Sequence, residues 1–553
     1  MVQFALEKSS NVKPSKSIMY HNNWNKNQIK KRFWLNKFVE FCKRTDLHGY
    51  KYMVMQDFNW VERSCWALAV LISIALAVYF VITAYKWYAR NPIVTVIEST
   101  QGAIWDVPFP AITICDLNVV SKKAARELAD SLTLPANVTS DFVFKTLRLV
   151  PLLHATFRAE QEEREHLYEL QNVLDLNNIT IDALFKQLSP ASSCNQLVQR
   201  CMWKNAIYRC DELFRQIFTM LSLCCTFNYF AMDNGSDSSH LSSPRRVASC
   251  GYQTALTVLL YTNPEDYYSA TVASQGVLVI IDNAYNMPDL DSPVRMVNPA
   301  TEVLIALSPE WTYTTPGIKS FSPEDRQCYY SDEIVLGNFR QYSFHNCMTH
   351  MKAELLKNAC GCVPLFLPFE AQFRTCNFKD MACLENIFLS EEYNLKNGTQ
   401  INHIFKCLPE CEHYDYPLEI ALGKLADNIY VKGLPFFDDV QLENRSLVNV
   451  FFNDLVSTRY RRDVYLNWQN ILAAFGGLLS LMLGFTLISG VDLIMFFTVR
   501  VAYNSCRSMI NERNAQTKIN VQDHHIKNSW MPHTLPRKPF TEKYYEHRLH
   551  GRY

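Results

Sequence analysis

Charge vanishes from this chain in two places. Twenty-two residues between Arg63 and Lys86 carry none. As a helix they reach about 33 Å, enough to cross the hydrocarbon core of a bilayer. A second uncharged stretch runs for 28 residues, from Val464 to Val491, and apolarity resumes after Asp492 until Arg500. The pattern predicts two transmembrane helices, over residues 64–86 and 465–499. The second is no plain anchor. It holds Gly476, Gly477, Gly484 and Gly490, the hydroxyls of Ser480, Thr486 and Ser489, and the carboxylate of Asp492. A charge near mid-helix in lipid costs roughly 2.5–3.5 kcal/mol on insertion scales, so an intramembrane Asp is a functional candidate by default.

Between these helices the pattern is that of a folded domain, residues 87–464. Pro110 followed by β-branched residues predicts a strand over 111–115. Residues 119–190 read as polar helices, for example Lys122 to Leu132 and Phe157 to Leu174. Strand-like runs follow at Ala255–Tyr261, Gly276–Ile281 and Glu302–Leu307. A cysteine-rich helical segment is expected from Cys347 to Cys411, and a last strand over Leu447–Phe452. No internal repeat is present. Residues 1–63 are basic and aromatic. Residues 500–553 form a polar tail expected to be mostly disordered, and Asp523-His524-His525 within it is expected to be solvated.

The overall charge is zero but unevenly spread: +7 in residues 1–63, +6 in residues 500–553, and −13 between them. The positive-inside rule puts both termini in the cytoplasm. Near the helices, Lys51, Arg63, Arg500 and Arg507 agree, whereas Lys86, Arg90, Arg459, Arg461 and Arg462 oppose it. Two further features decide the matter. All five glycosylation sequons, at Asn137, Asn178, Asn234, Asn397 and Asn444, lie between the helices. So do 15 of the 18 cysteines, leaving Cys42, Cys65 and Cys506 outside. Such density outside the cell predicts disulfides rather than zinc, so no metal site is expected. The first 63 residues lack a secretory signal, and the first helix is expected to serve as a signal anchor. The chain is expected in the plasma membrane as a two-span protein.

Several motifs then occur in a characteristic order. His48-Gly49 precedes the first helix, and Phe109-Pro110-Ala111-Ile112-Thr113-Ile114-Cys115 follows it. Cys224-Cys225-Thr226-Phe227-Asn228 and Cys360-Gly361-Cys362 come next, and the glycine-rich run from Phe475 to Asp492 closes the series. On these residues the chain resembles the degenerin/epithelial sodium channel family, most like the insect pickpocket branch, over about residues 44–500. The resemblance departs in places. The family filter is Gly-x-Ser, where this chain has Gly484-Phe485-Thr486. The acid that follows is usually Glu, here Asp492. Met351 and Phe405 stand where the family has two cysteines, so both halves of one bridge are missing together. The family's Pro-Pro-x-Tyr tail motif is absent.

The resemblance implies a trimeric channel with an α+β fold. Two helices would flank a large, disulfide-rich, hand-like extracellular domain of the acid-sensing-channel type. It implies the pairs Cys115–Cys224, Cys201–Cys210, Cys328–Cys411, Cys347–Cys407, Cys360–Cys383 and Cys362–Cys376. Cys194, Cys225 and Cys250 remain, one of which must stay unpaired or bridge between chains. Gly484, Phe485 and Thr486 would form the selectivity filter. Ser489 and Asp492 would line the pore, with Asp492 as a carboxylate ring at the inner mouth. His48 and Gly49 would set open probability, and a small residue at Ala473 would permit closure. A helical wheel places Met482, Phe485, Thr486, Ser489, Gly490 and Asp492 on one side, with Leu483, Leu487, Ile488, Val491, Ile494 and Met495 opposite. Small residues and hydroxyls also glue helices together, and Gly476-Gly477 fits that use.

The expected partners are sodium as permeant ion, the lipid bilayer, and sister subunits in a homo- or heterotrimer. An unknown extracellular ligand or mechanical force would act as stimulus, with residues 119–190 and 229–250 the expected seat of that specificity. No cofactor and no nucleic acid are expected. A two-helix nucleotide-gated channel would lack the His-Gly and Gly-x-Ser/Thr motifs. A non-conducting auxiliary or receptor-like subunit would share the sequence pattern. An ectoenzyme is disfavoured, because no phosphate-cradling glycine loop, Gly-x-Ser-x-Gly or His-Glu-x-x-His occurs.

Overall fold

A computed structural model describes residues 33–90, 93–154, 159–232, 243–289, 292–368, 373–387, 406–426, 435–438, 440–465, 468–504, 506–507, 509–511 and 513–514. The sequons at Asn234 and Asn397, the Asp523-His524-His525 cluster and most of the C-terminal tail lie outside these residues. The chain divides into two compact units, residues 91–465 and a smaller one made of the two ends.

The larger unit is built on three main sheets. The first orders β1 (Ile93–Ala103), β17 (Val456–Val464), β13 (Glu310–Thr314) and β14 (His413–Asp415). Strands β1 and β17 run antiparallel with Ile93 opposite Val464, so the two ends of this unit are zipped together. The second sheet orders β15 (Leu418–Lys424), β12 (Thr301–Leu307), β16 (Arg445–Phe452), β8 (Leu256–Tyr261), β4 (Val198–Trp203) and β5 (Ala206–Tyr208). The third orders β11 (Val294–Val297), β10 (Val277–Asp282), β2 (Ala111–Asp116), β7 (Leu223–Phe227) and β6 (Phe214–Phe218). A small ribbon pairs β3 (Asn118–Ser121) with β9 (Tyr267–Ala270).

The second and third sheets share one core around Phe109, Phe227 and Phe452, all wholly buried. Both faces of β2 and β7 are covered, which is why they read as continuous apolar runs rather than alternating ones. A second core gathers the helices α2 (Lys122–Ser131), α3 (Ser140–Leu147), α4 (Gln161–Leu176) and α5 (Ile181–Leu188) with the Cys362 region. Each is amphipathic, and their starts are sealed by side chains: Ser121 accepts from the Ala124 amide and Thr139 from the Phe142 amide.

Seven disulfides bind this unit. Six are the pairs implied by the resemblance. The seventh joins Cys194 to Cys225 and leaves Cys250 as a half-buried free thiol. Met351 packs beside the Cys347–Cys407 bridge in an apolar cluster, so a hydrophobic contact occupies the place of the missing cysteine. Asn137, Asn178 and Asn444 are exposed, and the last two adopt left-handed backbone in turns, to which Asn is suited.

Several expectations need correction. The last strand is β17, not the run ending at Phe452; its alternating arginines Arg459 and Arg461 disguise it. Strand β1 went unpredicted. The helix expected from Phe157 begins at Gln161. Of the segment Cys347–Cys411, the described residues are helical in α6 (Phe344–Cys360) and again over 381–387; Gly361, left-handed at φ +68°, stops α6.

In the smaller unit α1 (Trp60–Arg90) is 31 residues long and apolar enough to span a membrane. The second span is not one helix. It comprises α7 (Trp468–Leu483) and α8 (Leu487–Met495), and the chain leaves α8 through a π-helical turn, Phe496–Arg500. The wheel drawn across Met482 to Asp492 therefore fails at residues 484–486, where the 100° increment does not hold.

Candidate functional site

The break in the second span is encoded locally. Gly484 takes φ +67°, a conformation costly for any residue with a Cβ. Its amide still donates to Ser480 O at 2.9 Å, closing α7. Thr486 is extended and caps α8, its Oγ1 accepting from the Ser489 amide at 3.1 Å. The two hydroxyls of Thr486 and Ser489 lie 3.0 Å apart. One left-handed glycine and one capping threonine thus replace a turn of helix with three non-helical residues, exposing backbone polar groups that lipid cannot satisfy.

The N-terminal arm supplies part of what is missing. The His48 amide donates to Leu483 O at 3.1 Å, satisfying a carbonyl orphaned at the end of α7. The His48 imidazole occupies the space beside Gly484: a Cβ there would meet three of its ring atoms at 2.8–2.9 Å. Gly484 is therefore required twice, by its backbone angle and by its neighbour. Gly49, at φ +85°, faces the first span, where a Cβ would lie 2.6 Å from Val70 Cγ2. Consecutive residues thus touch both spans, and only glycine fits the second position.

Beyond this contact the arm is held by aromatic packing. A helix over residues 33–44 buries Phe41, whose ring centroid lies 5.5 Å from Phe496 and 5.3 Å from Phe497. Cys42, Leu47, Tyr50, Val54, Phe485 and Leu493 complete the cluster. Glu40 joins Lys37 at 2.8 Å and Arg500 at 3.3 Å. Phe485 turns towards Gly490, where a Cβ would lie 3.3 Å from its ring. Phe485 is thus packed against protein within this chain.

Ser489 is half-buried, whereas Thr486 and Asp492 are exposed. The apolar residues Leu487, Ile488, Val491, Ile494 and Met495 are all more than half exposed, as a lipid-facing flank requires. Ala473 lies on the exposed surface of α7, away from the break, and nothing described brings it to His48 or Thr486. Gly476 and Gly477 have open space where a Cβ would stand. The sequence reading missed the role of Phe41, Phe496 and Phe497. Their signal was available as an aromatic at the end of a short amphipathic helix and a Phe-Phe pair at the end of the span.

Together these features define a two-span membrane protein whose α/β domain is rich in disulfides and whose second span is broken and braced by an N-terminal arm. A family model described as amiloride-sensitive sodium channel matches residues 41–496, and the chain belongs to that family. It is 27% identical to the sodium channel protein Nach of Drosophila ananassae over 86% of this chain and 88% of that protein. It is 24% identical to pickpocket protein 28 of Drosophila melanogaster, over 84% and 78%. It is also 24% identical to the bile acid-sensitive ion channel of Mus musculus, over 83% and 86%. The family is one of ion channels, not enzymes.

Proposed function

We propose that the chain is a subunit of a trimeric, sodium-selective, amiloride-sensitive cation channel of the plasma membrane, with both termini cytoplasmic, serving chemo- or mechanosensory cells. The observation that carries this reading is the break at Gly484-Phe485-Thr486. Non-helical backbone at membrane depth is tolerated only where it is covered by protein or lines a water-filled path. Leu483 O is covered by His48, whereas Thr486 remains exposed. Three such segments around an axis present carbonyl and hydroxyl oxygens that replace part of a cation's hydration shell. Asp492 then concentrates cations at the inner mouth. Disulfides and sequons in the larger unit support its placement outside the cell.

The test is patch-clamp of cells expressing this chain with and without sister subunits. An amiloride-sensitive sodium current is expected, and Thr486→Ala should change its ion preference. Current that requires a sister subunit and ignores Thr486 would make the chain an auxiliary subunit. Asp492→Asn should lower single-channel current at unchanged surface level; an unchanged current removes the carboxylate ring. Ala473→Phe should leave a persistent leak, and silence at normal surface level would remove Ala473 from closure.

A further inference from the structure

The larger unit contains one carboxyl group in a setting unlike the others described. Asp116 ends β2 beside the Cys115–Cys224 bridge and is 7% exposed. Its Oδ1 accepts from the Asn118 amide at 2.9 Å and lies 3.4 Å from the Tyr267 hydroxyl. The backbone carbonyl of Asp116 takes the Ser222 hydroxyl at 3.4 Å, and across the ladder Asp116 faces Val277. The charged group facing it is Asp266, one residue before Tyr267, which repels its ionised form. Asp266 is itself held by the Lys123 amide at 2.9 Å, while the Lys123 ammonium is spent on Glu127 in solvent. No cation is paired with Asp116 among the described residues. Burial, reinforced by Asp266, pushes its carboxyl up to about 7 against the hydrogen bonds from Asn118 and Tyr267.

The Tyr267 hydroxyl is the second half of this arrangement. It accepts from the Gly276 amide at 2.8 Å. It has two acceptors for its single proton, Asp116 Oδ1 at 3.4 Å and Gly276 O at 3.2 Å. Burial first, then the neighbouring Asp116 charge, push the phenol up to about 12, so it keeps its proton at neutral pH.

We infer that Asp116 is a proton-binding site that sets the hydrogen bonding of the turn before β10 by extracellular pH. With Asp116 ionised, the Tyr267 O–H donates to the carboxylate and Gly276 O keeps only the Leu117 amide, at 3.1 Å. One proton taken from solvent onto Asp116 reverses the order. The carboxyl O–H donates to the Tyr267 oxygen, and the Tyr267 O–H turns to Gly276 O. The ribbon β3–β9 and the sheet containing β2 and β10 are then joined by one more neutral hydrogen bond, and the repulsion from Asp266 is gone. Acid stabilises this junction and alkali loosens it, a property separate from whether the chain conducts.

The experiment is the pH dependence of thermal unfolding of the full-length chain in detergent micelles. An unfolded Asp ionises near 4, so stability falls as pH rises from about 4 to about 7 and levels off above. Between pH 5 and 6 this one proton changes the unfolding constant by about tenfold relative to Asp116→Asn. Tyr267→Phe removes a donor to the carboxylate and should move the levelling-off point to higher pH. Asp266→Asn removes the repulsion and should move it lower. Opposite shifts in these two variants support the site even where Asp116→Asn fails to fold. Parallel profiles for wild type and Asp116→Asn, or an unmoved levelling-off point in both neighbours, overturn it.

Discussion

The two units of this chain are held together by different means. The larger one is cross-linked by seven disulfides, and its sheets close over a buried apolar core. In the smaller one, the arm and the broken span meet through a few rings, one backbone hydrogen bond, one glycine contact and one ion pair. Covalent loops restrict the unfolded ensemble and hold a domain in one arrangement. The aromatic and backbone contacts at the helix break are non-covalent and confined to a few residues. The contrast separates a cross-linked scaffold from a joint that rests on a few non-covalent contacts.

The largest expected effect breaks the scaffold. Cys115→Ser with Cys224→Ser opens a link spanning 109 residues, worth about 4–5 kcal/mol in the loop-entropy view. Surface delivery should fall to near background, read by surface biotinylation. Next, Phe41→Ala in the joint should cost about 3–5 kcal/mol of local packing. Surface delivery should persist while open probability changes, because α1 and the larger unit keep their own contacts. A loss of delivery equal to that of the cysteine pair would erase the distinction between the two units. Gly484→Ala should cost about 1–2 kcal/mol from its left-handed backbone, plus the clash with His48. Adding His48→Ala should restore part of the lost current, and a double-mutant cycle with no coupling would remove the contact from the mechanism. Smallest is Glu40→Gln, which loosens a half-exposed link to Arg500 worth at most about 1 kcal/mol; single-channel conductance should stay unchanged.

Much of the larger unit was legible because its signals are local. Strand-like runs marked β8, β10 and β12, and polar helical stretches marked α2 and α4. Strands β1 and β17 escaped because their faces carry arginine, threonine and glutamate, whose strand character comes from pairing with each other. The Cys194–Cys225 bridge was undecided for a similar reason: three cysteines remained, and only the folding of β7 against the short helix at Cys194 chooses among them. In the candidate site, Gly484, Thr486 and His48 were all marked by motif, but as separate marks on one assumed helix. Gly484 and Thr486 stop the helix locally, but that His48 is what it stops against depends on residues more than 400 positions apart.

The amino-acid order by itself carried the two apolar stretches, the cysteine-rich domain between them and the motifs that place the chain in its family. These rest on hydropathy, charge and residue chemistry, which act at each position without reference to distant ones. Tertiary structure alone decided what covers the break in the second span, the partner of Gly484, the free thiol at Cys250 and the burial of Asp116. Each of these depends on which distant group arrives to satisfy a carbonyl, fill a missing side chain, close a bridge or exclude water.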